Sequence, residues 1–300
     1  MSNEPGRRRL TYAIITPSYA LDFERCRLLV ESVRALVAPD ITHYVIVDRR
    51  DEALFQSLRG PRTQVAVKQS ILPWWLHQIP SSSRWWLSLK GLPIRGWIVQ
   101  QIVKLSVDAV TRADVCVFMD SDTVLIKPFD PRRAERGGTV PLFREILPAE
   151  DRHNTRWHAE AERLLGLPAA PSPRAGYVTQ AVTWRRSNVI ELHRRIERTT
   201  GRGWVESLCA LPTMSEYVVY GVFCERLLRE LSGHHVDGTI TTLNYWDTAT
   251  LEESDLDALR AQLRPEHVGV MISAKSSTDV GAIRRAFIDR RAPESQVERR

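Results

Sequence analysis

Paired cysteines are the first thing this 300-residue sequence lacks. Cys26, Cys116, Cys209 and Cys224 are scattered, and none forms a C-x-x-C pair, which argues against a zinc site or a disulfide framework. Cys26, Cys116 and Cys224 lie in apolar contexts, as small core residues do. No run approaches the roughly 20 apolar residues that cross a bilayer, and no apolar signal segment follows the basic N-terminus. No transmembrane segment is therefore expected, and a cytoplasmic location is. Lysine is scarce: Lys68, Lys90, Lys104, Lys127 and Lys275 are the only ones, so arginine carries nearly all the positive charge behind a net +6. That excess is either a composition bias or a surface attracted to nucleotides, phosphorylated lipids or acidic membrane. Basic segments interleaved with aromatics are missing, which excludes a nucleic-acid platform of the usual kind. Internal repeats are missing too.

Against these absences stands one stretch, Val115 to Leu125, V-C-V-F-M-D-S-D-T-V-L. A short continuous apolar run fits a strand buried on both faces of a parallel sheet. Asp120 and Asp122 follow where that strand leaves the sheet, and side chains two apart share a face. In open α/β sheets ligands bind at the carboxyl ends of strands. Two hard oxygen ligands there suit Mg²⁺ or Mn²⁺ that also holds substrate phosphates. The plain alternative is a solvated Asp-Ser-Asp turn.

The remaining pattern predicts an α/β fold with a mostly parallel, mixed central sheet flanked by helices and a Rossmann-like N-terminal half. Strands are expected at Tyr12–Pro17, His43–Asp48 and Gln64–Lys68, with a helix over Asp22–Val37 between the first two. Ile71–Trp97 holds Trp74, Trp75, Trp85, Trp86 and Trp97 and reads as an irregular functional segment. Its indoles suit a sugar platform, a greasy acceptor tail or peripheral membrane contact; otherwise at least half of them pack inward. Trp97–Val110 reads as a helix, with Gln100, Gln101, Lys104 and Asp108 on its polar face and Ile98, Ile102, Leu105 and Ala109 on the core. Further helices are expected at Glu150–Leu165, from a Ser187 cap to Arg198, from Ser215 with a break at Gly221, and after a Thr278 cap. Strands are expected at Tyr177–Trp184, Thr239–Leu243 and Val268–Ile272. The chain is read as one domain over 10–291, with a nucleotide-binding half (10–130) and an acceptor-side half (131–291), and disordered tails at 1–9 and 292–300.

The buried strand, D-x-D and following Thr-Val-Leu resemble the nucleotide-sugar-dependent glycosyltransferases of GT-A fold. T-P-S-Y (Thr16–Tyr19), with Asp22 soon after, and the aspartate ending the second strand agree with that layout. The combination of G-W-I-V-Q-Q-I-V-K-L (Gly96–Leu105), F-M-D-S-D-T-V-L and S-E-Y-V-V-Y-G (Ser215–Gly221) is also similar to a poorly characterised bacterial glycosyltransferase-like family, over about Tyr12 to Ala286. The resemblance implies a nucleoside-diphosphate sugar as donor, an acceptor hydroxyl, and Mn²⁺ or Mg²⁺ held through Asp122 with Asp120. It implies that Thr16, Pro17, Tyr19 and Asp48 line the base and ribose pocket. Ser121 between the aspartates joins the donor-binding set. Glu216 becomes the candidate general base of an inverting transfer, and His235 the candidate further metal ligand, ahead of His234, Asp237 and His267. Gln101 and Lys104, one helical turn apart, are placed to reach the diphosphate. Lys275, in S-A-K-S-S-T after a strand, offers a phosphate seat where the next helix opens.

D-S-D-T-V also fits the nucleophile motif of haloacid-dehalogenase-type phosphatases, with Asp120 as nucleophile. That motif normally sits on a domain's first strand, and no later Asp-Asp pair completes its metal site. A non-catalytic nucleotide-sugar-binding module is the third reading.

Overall fold

Tyr12–Pro17 (β1) is buried along its whole length in the computed structural model, which describes residues 9–290 apart from 80, 81, 83, 84 and 149. The tails predicted at 1–9 and 292–300 lie outside the described residues, Arg9 excepted. Ala13 and Ile15 join one apolar cluster, and Tyr12 and Ile14 another. Burial on both faces is why the strand reads as a continuous apolar run and not as an alternation.

Helix α1 (Phe23–Leu36) carries the chain across to the parallel strand β2 (Thr42–Val47). The short α2 (Glu52–Phe55) then leads to parallel β3 (Thr63–Val67). Three short strands follow: β4 (Leu76–Gln78), β5 (Trp85–Ser88) and β6 (Ile94–Arg95). Helices α3 (Gly96–Leu105) and α4 (Val107–Val110) come next. They deliver β7 (Val115–Phe118) to the other side of β1, again parallel. The sheet is closed by antiparallel β12 (Val182–Arg185), giving the order β12-β7-β1-β2-β3. Successive strands thus run outward from β1 first on one side and then on the other. The gap between β1 and β7 is the topological switch point, where an open α/β sheet leaves a crevice at its carboxyl edge.

Beyond β7 the chain turns through Asp120–Asp122 into β8 (Thr123–Leu125), which enters a second sheet of order β14-β15-β8 with β14 (Thr242–Tyr245) and β15 (Gly269–Ile272). Smaller pairs join β9 (Val140–Phe143) to β13 (His234–Asp237) and β10 (Glu145–Ile146) to β11 (Ala175–Gly176). Helices α5 (Arg152–Leu165), α6 (Arg186–Thr200), α7 (Trp204–Cys209) and α8 (Glu216–Phe223) bring buried side chains to the main cluster on one face. The other face packs on α1. Helices α9 (Glu253–Arg260) and α10 (Val280–Arg284) cover the second sheet.

Several expectations need correction. Ile71–Trp97 is only partly irregular: β4, β5 and β6 form an antiparallel sheet within it. Two of its five tryptophans, Trp75 and Trp86, are buried, fewer than the half expected. Only the end of Tyr177–Trp184 is strand. Helix α6 begins at Arg186, so Ser187 lies inside it and caps nothing. Gly221 does not interrupt α8; a Cβ there would fall 2.4 Å from the Tyr177 ring, so glycine permits close packing. Asp279, not Thr278, caps α10, accepting from the Ala282 amide at 2.7 Å. On the α3–α4 segment Ala109 is exposed, while Gln101 and Lys104 are buried. Ile98, Ile102 and Leu105 face the core as expected, while Gln101 and Lys104 of the polar face meet α8.

Candidate active site

The carboxyl ends of the parallel strands carry Ser18 and Tyr19 after β1, Asp48 after β2, Lys68 after β3 and Asp120 after β7. Asp120 sits between two grips. Lys104 Nζ approaches its Oδ1 at 2.9 Å. The Gln180 amide donates to its Oδ2 at 3.0 Å and accepts from its backbone N–H at 2.8 Å. Lys104 is buried and also lies 3.0 Å from Glu216 Oε1, which makes no well-aligned hydrogen bond. The ammonium donates to the Tyr217 hydroxyl at 3.0 Å and stands over that ring. Gln101 holds the start of α8 by accepting from the Glu216 amide at 3.2 Å, while Ser215 caps the helix. One turn of α3 thus links the first residues of α8 to the turn after β7.

Asp122 is tied to the second sheet. Its backbone carbonyl accepts from Ile272 N, and its Oδ2 accepts from Ala274 N at 3.0 Å. Arg25 of α1 donates to the Ile272 and Thr278 carbonyls, which places its guanidinium beside Asp122 and Asp22. Ser121 donates to Asp22 Oδ2 at 3.1 Å.

Four carboxylates, Asp22, Asp120, Asp122 and Glu216, therefore face two cations, Lys104 and Arg25. Two negative charges remain uncompensated, and the titration directions reflect it. Desolvation, then repulsion from Asp120, raises Asp122 to about 6. Desolvation also raises Asp22 and Glu216, each with Asp120 adding to the rise. Burial would raise Asp120 as well, but Lys104 and Gln180 outweigh it and hold it low. Burial would lower Lys104, yet Asp120 and Glu216 raise it well above the usual lysine range.

The donor set fits a hard divalent cation. Carboxylates supply the oxygens, and the charge deficit is that of one such ion. Among the described residues no group of three or more His, Cys, Asp or Glu side chains forms a cage. Mg²⁺ in particular is commonly held by one or two carboxylates with the substrate's phosphates completing the shell.

A family model described as a family of unknown function, DUF6492, matches residues 10–287. The chain belongs to the DUF6492 family. No curated protein matches it. Solved structures similar to this DUF6492 chain include mouse xyloside xylosyltransferase 1 in its apo form. That match has 10% identity and a TM-score of 0.47, and covers 87% of this chain and 97% of that one. The bifunctional glycosyltransferase WbbM gives 9% and 0.48 over 95% and 51%. The galactosyltransferase LgtC, solved with donor and acceptor sugar analogs, gives 11% and 0.47 over 94% and 98%. Likenesses this distant carry no weight for activity.

The remaining predicted residues fall as follows in this DUF6492 chain. Thr16 points into the sheet and bonds the buried His43 at 2.9 Å, so its hydroxyl does not face the crevice. Pro17 is buried, whereas Tyr19 is half-buried, with its hydroxyl raised by burial and by Asp22 and Asp122. Asp48 is buried and 3.6 Å from buried Lys68, and its Oδ1 has no hydrogen-bond partner. Lys275 is exposed on a one-turn 3-10 segment, not at the opening of a helix, and the neighbouring amide of Ala274 is already used by Asp122. His235 lies on β13, bonded to Thr139 at 2.8 Å, and the described residues show no contact with either aspartate. His267 precedes β15 and accepts from the Arg264 amide.

Sequence reasoning missed Gln180, Tyr217 and Arg25 as members of the site. Tyr217 was within reach, being next to Glu216 in the S-E-Y motif. Nothing local marks Gln180; it arrives because β12 runs antiparallel to β7, which puts the residues before β12 beside the residues after β7.

Proposed function

We propose that this protein is a metal-dependent glycosyltransferase that moves a sugar from a nucleoside-diphosphate sugar to an acceptor hydroxyl. The observation that carries the reading is Asp120-Ser121-Asp122 at the switch point of the parallel sheet, two charges short of neutrality, with Lys104 against it. Pyrophosphate brings negative charge of its own, so a divalent cation and a lysine are what such an edge needs to accept it. Asp122 with Asp120 would hold Mg²⁺ or Mn²⁺. When bound, that ion neutralises charge on the departing diphosphate.

The chain's own residues have separable tasks. Tyr19 and Asp48, at neighbouring strand ends, would meet base and ribose. Gln180 orients Asp120 through both of its bonds. Lys104 supplies fixed positive charge in a dehydrated setting, where it acts more strongly than in water. Glu216 is the candidate base for the acceptor hydroxyl. A cleft of about 500 Å³ opens between the β5–β6 turn and the loop before α8, lined by Arg95, Ile98, Leu211 and Pro212 among others. Ile98 is one turn from Gln101, which makes this cleft the candidate acceptor seat.

Thermal shift with UDP, GDP, CDP and dTDP, each with and without Mn²⁺, tests the reading. One nucleotide should stabilise the protein, and only with metal present. Trapping of Asp120 by fluoroberyllate with no nucleotide effect would replace the reading with phosphatase chemistry. Donor binding with no transfer or donor hydrolysis would leave a binding module. Glu216→Gln should keep donor affinity and lose transfer; lost donor affinity would mean that Glu216 acts through Lys104 instead.

A further inference from the structure

Strand β5 of the β4-β5-β6 sheet turns apolar side chains outward, beside His77 and Arg95 of its neighbours. Along β5, Trp86 and Ser88 point inward while Trp85 and Leu87 are each 43% exposed. An antiparallel sheet packed on one face normally turns polar residues to water on the other. Here Leu89, Leu92, Trp74 and Trp97 extend the exposed apolar set. Six of the thirteen exposed large apolar side chains among the described residues fall between Trp74 and Trp97. Trp85, Leu92 and Arg95 also border one cleft, so part of this exposed set is gathered in one place, as at a docking surface.

Charge says what the surface docks on. Arg95 is paired with Trp85 across the strands and so shares its face. Among the described residues it makes no ion pair. Between Glu52 and Asp108 the sequence has no aspartate or glutamate; of its seven lysines and arginines, Lys68 and Lys104 are buried in ion pairs elsewhere, which leaves Arg95 as the unpaired cation on this face among the described residues. Glu206, the one carboxylate lining the adjoining cleft, is engaged by Lys90 at 3.3 Å. Exposed indoles and leucines beside an unpaired arginine, with the cleft's carboxylate already engaged, suit the headgroup layer of an acidic bilayer. Indole rings settle at that depth, and arginine meets lipid phosphates.

We infer that this outer face seats the protein on an anionic lipid bilayer, with Trp85, Leu87 and Leu92 entering the headgroup layer and Arg95 meeting lipid phosphate. This face borders the proposed acceptor cleft, sharing Trp85, Leu92 and Arg95 with its lining, and its test needs no activity.

The full chain is sedimented with phosphatidylcholine vesicles, with and without phosphatidylglycerol, while brominated lipid reports tryptophan depth by quenching. Binding and quenching are expected with phosphatidylglycerol and not with phosphatidylcholine alone. Leu92→Glu and Trp74→Glu change side chains that are 85% and 78% exposed, so folding should persist, as a melting curve will show. Each should lower vesicle affinity about tenfold or more, as should Arg95→Glu. No binding to phosphatidylglycerol vesicles at low salt would overturn the inference. So would unchanged binding by Leu92→Glu, or salt-sensitive binding without quenching, which is charge attraction alone. A self-association in vesicle-free ultracentrifugation that Leu92→Glu abolishes, with no vesicle binding, would assign the face to a second copy of this chain instead.

Discussion

Two regions of this molecule break the usual distribution of polarity in opposite directions. At the carboxyl edge of the central sheet, ionisable groups are taken out of water: Lys104 and Glu216 are buried, and Asp120 is 35% exposed. In the β4-β5-β6 sheet, apolar groups are left in water. Buried polar and exposed large apolar groups are the informative exceptions in a folded chain. Both cost stability as they stand, and both would be relieved by something that binds. The first lacks positive charge and the second lacks an apolar cover, which is why one reads as a site for a metal and an anion and the other as a surface for lipid.

The comparison breaks most sharply through inward-facing residues. Lys104→Met leaves Asp120 and Glu216 without their shared cation and should cost about 3–5 kcal/mol in urea unfolding. Adding Glu216→Gln should return a substantial part of that loss; a double variant no more stable than the single would mean that the pair is not coupled. Trp86→Ala, on the inner side of β5, should cost a similar 3–5 kcal/mol, because it opens a cavity in the main cluster. If it costs under 1 kcal/mol, the small sheet is not part of that core.

Asp122, at the proposed metal site, should separate function from stability. Asp122→Ala should lower transfer by about a hundredfold, roughly 2.7 kcal/mol in barrier, with the melting curve little changed. Near-normal transfer by that variant in EDTA would remove the metal from the proposal.

A smaller effect concerns pH. Burial holds His43 down to about 3, well below its unfolded value of about 6.5. The unfolded chain therefore binds the extra proton first, so this stability is complete above pH 6.5 and is lost as pH falls toward 3. Between pH 7 and pH 5 the loss should be about 2 kcal/mol. His43→Gln should flatten that slope, measured by urea unfolding at the two pH values. Smallest of all, Leu87→Ser should change stability by less than about 0.5 kcal/mol, since it uncovers nothing.

Much of the frame was legible from residues alone. Buried parallel strands announce themselves by unbroken apolar runs, so Tyr12–Pro17, the run before Asp120 and the helix between β1 and β2 were found close to their true limits. Helix caps were less reliable. Ser215 holds its helix, but Ser187 and Thr278 do not hold theirs, because a hydroxyl competes with whatever neighbour the folded chain supplies. The polar stripe of α3 misled, since periodicity reports which face differs and not what covers it. Lys104 and Gln101 lie on the polar face yet sit buried under α8.

The sequence by itself determined the alternation of strands and helices, the position of Asp120 and Asp122 at a strand end, and the concentration of tryptophan between Ile71 and Trp97. These are local properties, set by side-chain period and by which residues terminate a strand. Only the tertiary structure decided that Glu216, Gln180 and Arg25 would meet those aspartates, that His235 would contact neither, and which tryptophans would face outward. Such meetings depend on strand order and on the direction of β12, and neighbours brought together across about a hundred residues of chain leave no periodic trace in it.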